Sequence, residues 1–206
     1  MKEIGVGVIG TGFMGKAHSI AYSASASVFG TGLRPRLEMV CDLSPERAQN
    51  RATDLGFSRY SADWRDVVND PAIDLISVCT PNDTHAEISI AALKAGKHIW
   101  CEKPMSTTLT DSIAMRDMAA TSPGKTIIGY NYTKNPAVTH ARRLIEEGHI
   151  GRISGFFCRY DVDNEADGNR PWSWRMSRDK SGTGANGDVL SHVISIGHYL
   201  TGSTIS

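Results

Sequence analysis

The apolar run Ile4 to Ile9 passes directly into Gly10-Thr11-Gly12-Phe13-Met14-Gly15 and then into the helix-compatible stretch Lys16 to Tyr22. Strand, glycine-rich turn and helix in this order form a cradle for a dinucleotide pyrophosphate, which narrows the fold more than any other segment does. Gly10 permits the tight strand-to-helix turn, Gly12 lets backbone approach the pyrophosphate, and Gly15 allows the helix to pack closely on the strand. The N–H groups at the helix start then face the anion. Phe13 and Met14, inside the same loop, join the three glycines as candidate cofactor contacts.

Strand-like runs recur at Ile4 to Ile9, Leu37 to Cys41, Leu75 to Cys79, His98 to Cys101 and Thr126 to Tyr130, with helix-like segments between them. That alternation predicts a parallel sheet covered on both faces. The Ser- and Gly-rich stretch Ser23 to Pro35 reads as a loop before the second strand. Ser44, followed by Pro45 and Glu46, reads as a helix cap, and Asn82 or Asp83 as the cap of a helix running toward Ala95 with Gly96 as its stop. Asp42 stands at the carboxyl end of the second strand, where an acidic side chain accepts hydrogen bonds from the adenosine ribose hydroxyls. This favours NAD over NADP, because a 2′-phosphate would face a carboxylate. The alternative is that Asp42 merely starts the turn toward Ser44, and Arg47 could soften the discrimination by pairing with a phosphate.

Composition restricts the partners. The chain has 206 residues with 22 basic and 22 acidic side chains, a balance that argues against nucleic acid as the main partner. No apolar run approaches the roughly twenty residues that cross a bilayer. The first strand begins so near Met1 that no secretory signal is expected, and a cytoplasmic location follows by default. Cys41, Cys79, Cys101 and Cys158 lack C-x-x-C spacing and read as reduced, mostly buried thiols. The seven histidines are scattered, so no metal site is expected.

Glu102-Lys103-Pro104 follows the strand ending at Trp100-Cys101, again at the carboxyl edge of the sheet where ligands of open α/β folds bind. Together with the glycines and with Thr80-Pro81-Asn82 and His85, this tripeptide makes the chain resemble the glucose-fructose oxidoreductase, inositol dehydrogenase and rhizopine catabolism (Gfo/Idh/MocA) family, essentially from end to end. The resemblance implies that Lys103 contacts substrate and nicotinamide, with Pro104 fixing the turn through a cis peptide bond and Glu102 holding Lys103 in place. It also lays Thr80, Pro81, Asn82 and His85 along the cofactor and brings Asn131 to its nicotinamide end. Taken alone, Asn82 would be a helix cap, His85 an exposed histidine and Asn131 a turn former.

Beyond Asn131 the pattern changes. Asn135-Pro136 starts a helix reaching Glu147, and Arg152 to Val162 alternates enough to predict a strand of a new sheet. Pro171-Trp172-Ser173-Trp174-Arg175 and a loop with several glycines then lead to Asp188 and His192, which share one face of a helix at their spacing of four. By the same resemblance Asp188 binds substrate hydroxyls, His192 handles the proton, and Trp174 and Arg175 lie near the substrate pocket. Without it, Asp188 is a helix N-terminal charge, His192 a packed surface residue and the tryptophans core or interface. The family's further aspartate, three residues beyond the histidine, is replaced by Ser195.

The expected fold is therefore α/β: a Rossmann dinucleotide-binding domain over residues 1–131, then an incomplete α+β substrate domain over 132–206. Such a second domain runs to roughly 100 to 150 residues, whereas 75 residues follow Asn131, so the chain is read as truncated. The implied function is NAD-dependent hydride transfer to or from a secondary alcohol of a sugar, inositol or related polyol, the full-length form being a homo-oligomer with no nucleic-acid or membrane partner. Two other readings stand beside it: an NAD-assisted glycoside hydrolase of the same family, and a non-catalytic NAD-binding protein.

Overall fold

The computed structural model describes residues 1–30, 32–163, 166–169 and 171–203. The chain divides into two compact units, Met1–Ile128 and Gly129–Ser206.

The first unit is built on a six-stranded sheet. Its strands are β1 (Lys2–Ile9), β2 (Leu33–Cys41), β3 (Arg59–Ser61), β4 (Leu75–Val78), β5 (His98–Cys101) and β6 (Thr126–Ile128). They lie in the order β3-β2-β1-β4-β5-β6, and every pair is parallel. This is the doubly wound arrangement of a Rossmann fold, in which the order reverses between β1 and β4 and opens a crevice at their carboxyl ends. Alternate residues of each strand enter opposite faces. Met39, Cys41, Ile76, Val78 and Ile99 join one core with Val67, Ile88 and Met115 from the helices α3 (Trp64–Asn69), α4 (His85–Lys94) and α5 (Leu109–Thr121). Val6, Val8 and Val40 join the other with Tyr22 from α1 (Phe13–Phe29) and Ala52 from α2 (Pro45–Leu55).

Several elements depart from the sequence reading. The segment from Ser23 is no loop: α1 continues to Phe29 and β2 begins at Leu33. The serines stay helical because their hydroxyls bond back to the preceding turn, Ser23 to the Ser19 carbonyl at 3.1 Å and Ser27 to the Ala24 carbonyl at 2.9 Å. Helix α4 starts at His85 without a side-chain cap, after a 3₁₀ turn over Asn82–Thr84, so neither Asn82 nor Asp83 caps it. The Thr84 hydroxyl is turned toward Thr80 Oγ1 and the Pro81 carbonyl instead. Ser44 does cap α2, accepting from the Arg47 amide at 3.2 Å.

The second unit contains α6 (Pro136–Glu146), α7 (Arg178–Ser181) and α8 (Ser191–Thr201), the last preceded by a π-helical turn over Asn186–Leu190. Arg152 to Val162 forms no strand. Alternation alone does not make one, since a strand needs a ladder partner, and the second unit has no other strand among the described residues. Ser206, where the sequence reading ends that domain, lies outside the described residues.

Candidate cofactor and substrate sites

The three glycines of the first loop answer to two constraints. Gly10 has φ +94°, and a Cβ there would lie 2.6 Å from the Cys79 carbonyl oxygen; at Gly15 it would lie 1.9 Å from the Gly10 carbonyl oxygen. Both are fixed by the packing of β1 on β4 and of α1 on its own turn. Gly12 differs, because a Cβ there meets nothing within 4 Å. Gly12 is the N-cap of α1, which has no side-chain cap and no acidic residue in its first turn. The positive end of the helix dipole therefore meets no carboxylate from its own first turn. Phe13 is 80% exposed and Met14 half-buried beside it.

Asp42 closes the loop from the side. Its Oδ2 accepts from the Thr11 amide at 3.3 Å and from the Thr11 hydroxyl, while Oδ1 accepts from the Ser44 amide at 3.2 Å and faces Arg47 Nη1 at 3.4 Å. The carboxylate thus does start the turn toward Ser44, and it also ties the glycine loop to the end of β2.

The turns after β4 and β5 are bolted together by His85. Far from being exposed, its ring is 1% accessible, with Nδ1 2.9 Å from the Pro104 carbonyl and Nε2 3.0 Å from the Thr80 carbonyl. A neutral imidazole has one N–H and so donates to only one of these. Burial is the largest influence on the ring and lowers its pKa below the usual histidine value, against the opposing pull of the two carbonyls. The Lys103–Pro104 peptide is cis. Lys103 is half-buried, and Glu102 before it is buried with its Oε1 2.9 Å from Nε2 of His18 on α1. Sequence reasoning passed over His18. Its signal was position: three residues after Gly15, it lies on the helix face that the glycine presses against the sheet.

In the second unit Asn131 is exposed and opens a 3₁₀ turn over Asn131–Lys134. Asp188 lies in the π-helical turn and His192 in the first turn of α8, so the pair bridges a change of helix type rather than one regular α-helix. His192 is buried against three tyrosine rings, with centroids at 4.7 Å for Tyr132 and 6.1 Å for both Tyr130 and Tyr160. The Tyr132 and Tyr160 hydroxyls are 2.5 Å apart, and this hydrogen bond is the main reason that the Tyr160 pKa is pushed up to about 12. Arg175 lies with its guanidinium 4.6 Å from the Trp174 ring centroid and 3.5 Å from Asp188 Oδ2. Trp172 is exposed and Trp174 half-buried, so neither is core. Among the described residues no cluster of His, Cys, Asp or Glu could hold a metal ion, and no helix is long and apolar enough to cross a membrane. All four cysteines are free thiols.

Comparison with known proteins agrees with this architecture. Residues 4–130 match the model of the Gfo/Idh/MocA oxidoreductase family with an NAD-binding Rossmann fold, and residues 138–206 match a C-terminal domain of the same family. A levoglucosan dehydrogenase of Pseudarthrobacter phenanthrenivorans is 44% identical over 203 residues, covering 98% of this chain and 52% of its own length. An inositol 2-dehydrogenase of Rhizobium meliloti is 31% identical over 147 residues, covering 71% of this chain and 42% of its own length. A solved levoglucosan dehydrogenase in complex with NADH and levoglucosan superposes with a TM-score of 0.91 at 40% identity, over 98% of this chain and 55% of that one. The chain thus spans about half the length of these curated relatives. From glycine loop through Glu-Lys-Pro turn to the helix of His192, it belongs to the Gfo/Idh/MocA oxidoreductase family.

Proposed function

We propose that this chain belongs to an NAD-dependent oxidoreductase acting on a secondary alcohol of a sugar or polyol, with an anhydro sugar of the levoglucosan type as the first substrate class to test. The observation that carries the cofactor reading is Gly12: no protein atom lies within 4 Å of where its Cβ would be, so a demand for glycine there comes from outside the chain. An α1 N-terminus with no acidic first-turn residue suits a pyrophosphate, and the Asp42 carboxylate suits ribose hydroxyls more than a 2′-phosphate. NAD is therefore the expected cofactor rather than NADP, and when bound it supplies the hydride acceptor. Phe13, Met14, Thr80, Pro81, Asn82 and Asn131 remain proposed cofactor contacts. Glu102 and His85 are proposed to act indirectly, because both are buried in hydrogen bonds to protein groups.

Oxidising an alcohol requires removal of its hydroxyl proton. His192 suits that task, since an unperturbed imidazole titrates at about 6.5. Lys103, in the first unit, is proposed to contact substrate and nicotinamide, its ammonium suited to stabilising developing alkoxide charge. Asp188, oriented by Arg175 on the Trp174 ring, would bind a neighbouring hydroxyl and fix which alcohol reacts. A sugar bound there could therefore touch Trp174 and Arg175 as well.

The test is a titration of the chain with NADH and NADPH, followed by incubation with NAD and a panel containing levoglucosan and inositols. NADH binding tighter than NADPH binding, with NADH accumulating on one sugar, is the expected result. Failure to bind either dinucleotide would remove the cofactor reading. Sugar release without NADH accumulation would reveal a glycoside hydrolase, and binding without any reaction a non-catalytic protein.

A further inference from the structure

Four buried polar side chains lie beneath the Glu102-Lys103-Pro104 turn: Tyr22 and His18 on α1, Ser77 on β4 and Glu102 itself, each less than a tenth exposed. Tyr22 Oη lies 2.7 Å from Ser77 Oγ, Ser77 Oγ 3.1 Å from His18 Nδ1, and His18 Nε2 2.9 Å from Glu102 Oε1. A carboxylate only accepts, so His18 Nε2 carries the hydrogen of the bond to Glu102. Trp100 covers the ring, its centroid 4.6 Å from that of His18, and Tyr22 stands edge-on to the same indole. A buried carboxylate needs such bonds to be held without large cost.

From this network we infer that His18 is a positioning residue for Lys103, acting through Glu102. Both neighbours of Lys103 are pinned: Glu102 by His18 and by its own amide on the Val78 carbonyl at 2.9 Å, Pro104 by His85. The His18 pin comes from α1, the helix that starts at Gly12. One element thus meets the pyrophosphate end of a dinucleotide with its N-terminus and sets the lysine at the other end with its interior. The inference rests on the nucleotide reading above.

The experiment compares two ligands, NADH and ADP-ribose, which share everything but the nicotinamide ring, on the wild-type chain and two variants. His18→Gln reaches as far as Nε2 and keeps a donor for Glu102; His18→Asn reaches only as far as Nδ1 and releases it. The expected result is that His18→Asn weakens NADH about tenfold, the loss of one charge-assisted hydrogen bond, and leaves ADP-ribose unchanged, while His18→Gln retains the wild-type preference for NADH. Equal weakening of both ligands would mean that His18 only supports the fold, and an unchanged NADH affinity in His18→Asn would equally overturn the proposal. Should His18→Asn not fold, the wild-type chain crystallised with NADH decides: Lys103 turned away from the nicotinamide, or Glu102 released from His18, overturns it. A wild type that binds neither ligand instead marks failure of the nucleotide reading itself.

Discussion

Gly12 and Gly15 look equivalent in the motif, yet they make opposite predictions. At Gly15 the space is filled by the chain's own backbone, so Gly15→Ala is expected to destabilise the first unit by about 1–3 kcal/mol, visible as a lower melting temperature without ligand. At Gly12 the space is open. Gly12→Val should melt like the wild type but bind NADH about ten- to hundredfold more weakly, and equal affinity in a titration would refute the site. His192 is the residue on which turnover would depend most: His192→Ala is expected to lower it roughly 10²- to 10⁴-fold, the range for a positioned general base, with cofactor affinity retained. The glycine turn and the Asp42 turn toward Ser44 were legible from local rules, and the cis Lys103–Pro104 bond through the family resemblance. His18 and the burial of His85 were not, because their partners are distant in sequence: Glu102 stands 84 residues from His18 and Pro104 stands 19 from His85.

Among the elements, the bolt between the turns after β4 and β5 has a pH signature. Burial lowers the His85 pKa in the folded chain, whereas the unfolded ring titrates near 6.5. The unfolded state therefore binds the proton more readily, and the stability present above about pH 6.5 is lost as pH falls toward the depressed folded value. Thermal melts between about pH 7 and 5 should show this decline, and His85→Gln should flatten it; the same slope in both proteins would assign it elsewhere. Long-patterned elements were readable in the sequence, including β1, β2, β4 and β5. Those lost were short or context-dependent. Arg59-Tyr60-Ser61 becomes a strand although two of its three residues are exposed, because β2 offers it a ladder; Arg152 to Val162 has the alternation and lacks the ladder. The serines of α1 were misread because a residue that favours loops also tolerates helix when its hydroxyl bonds to the turn before it.

At the scale of the whole molecule, the division into two units separates the proposed chemistry. Lys103 belongs to the first and Asp188 with His192 to the second. A fragment of residues 1–130 is accordingly expected to fold and bind NADH by itself, with a circular dichroism spectrum rich in both helix and strand; a fragment that remains unfolded would show that the first unit depends on the second. The family and its Rossmann sheet were legible in the sequence because they are written in motifs and in periodicity. Anything between the units is not, since neither pattern encodes how two bodies meet. The sheet also carries a property of its own. Its margins are β3 and β6, each three residues long, but β3 pairs only with Met39–Cys41, so the early part of β2, residues 33–38, has no strand on its outer side. A neighbouring polypeptide should therefore add at that stretch of β2 before it adds at β3 or β6.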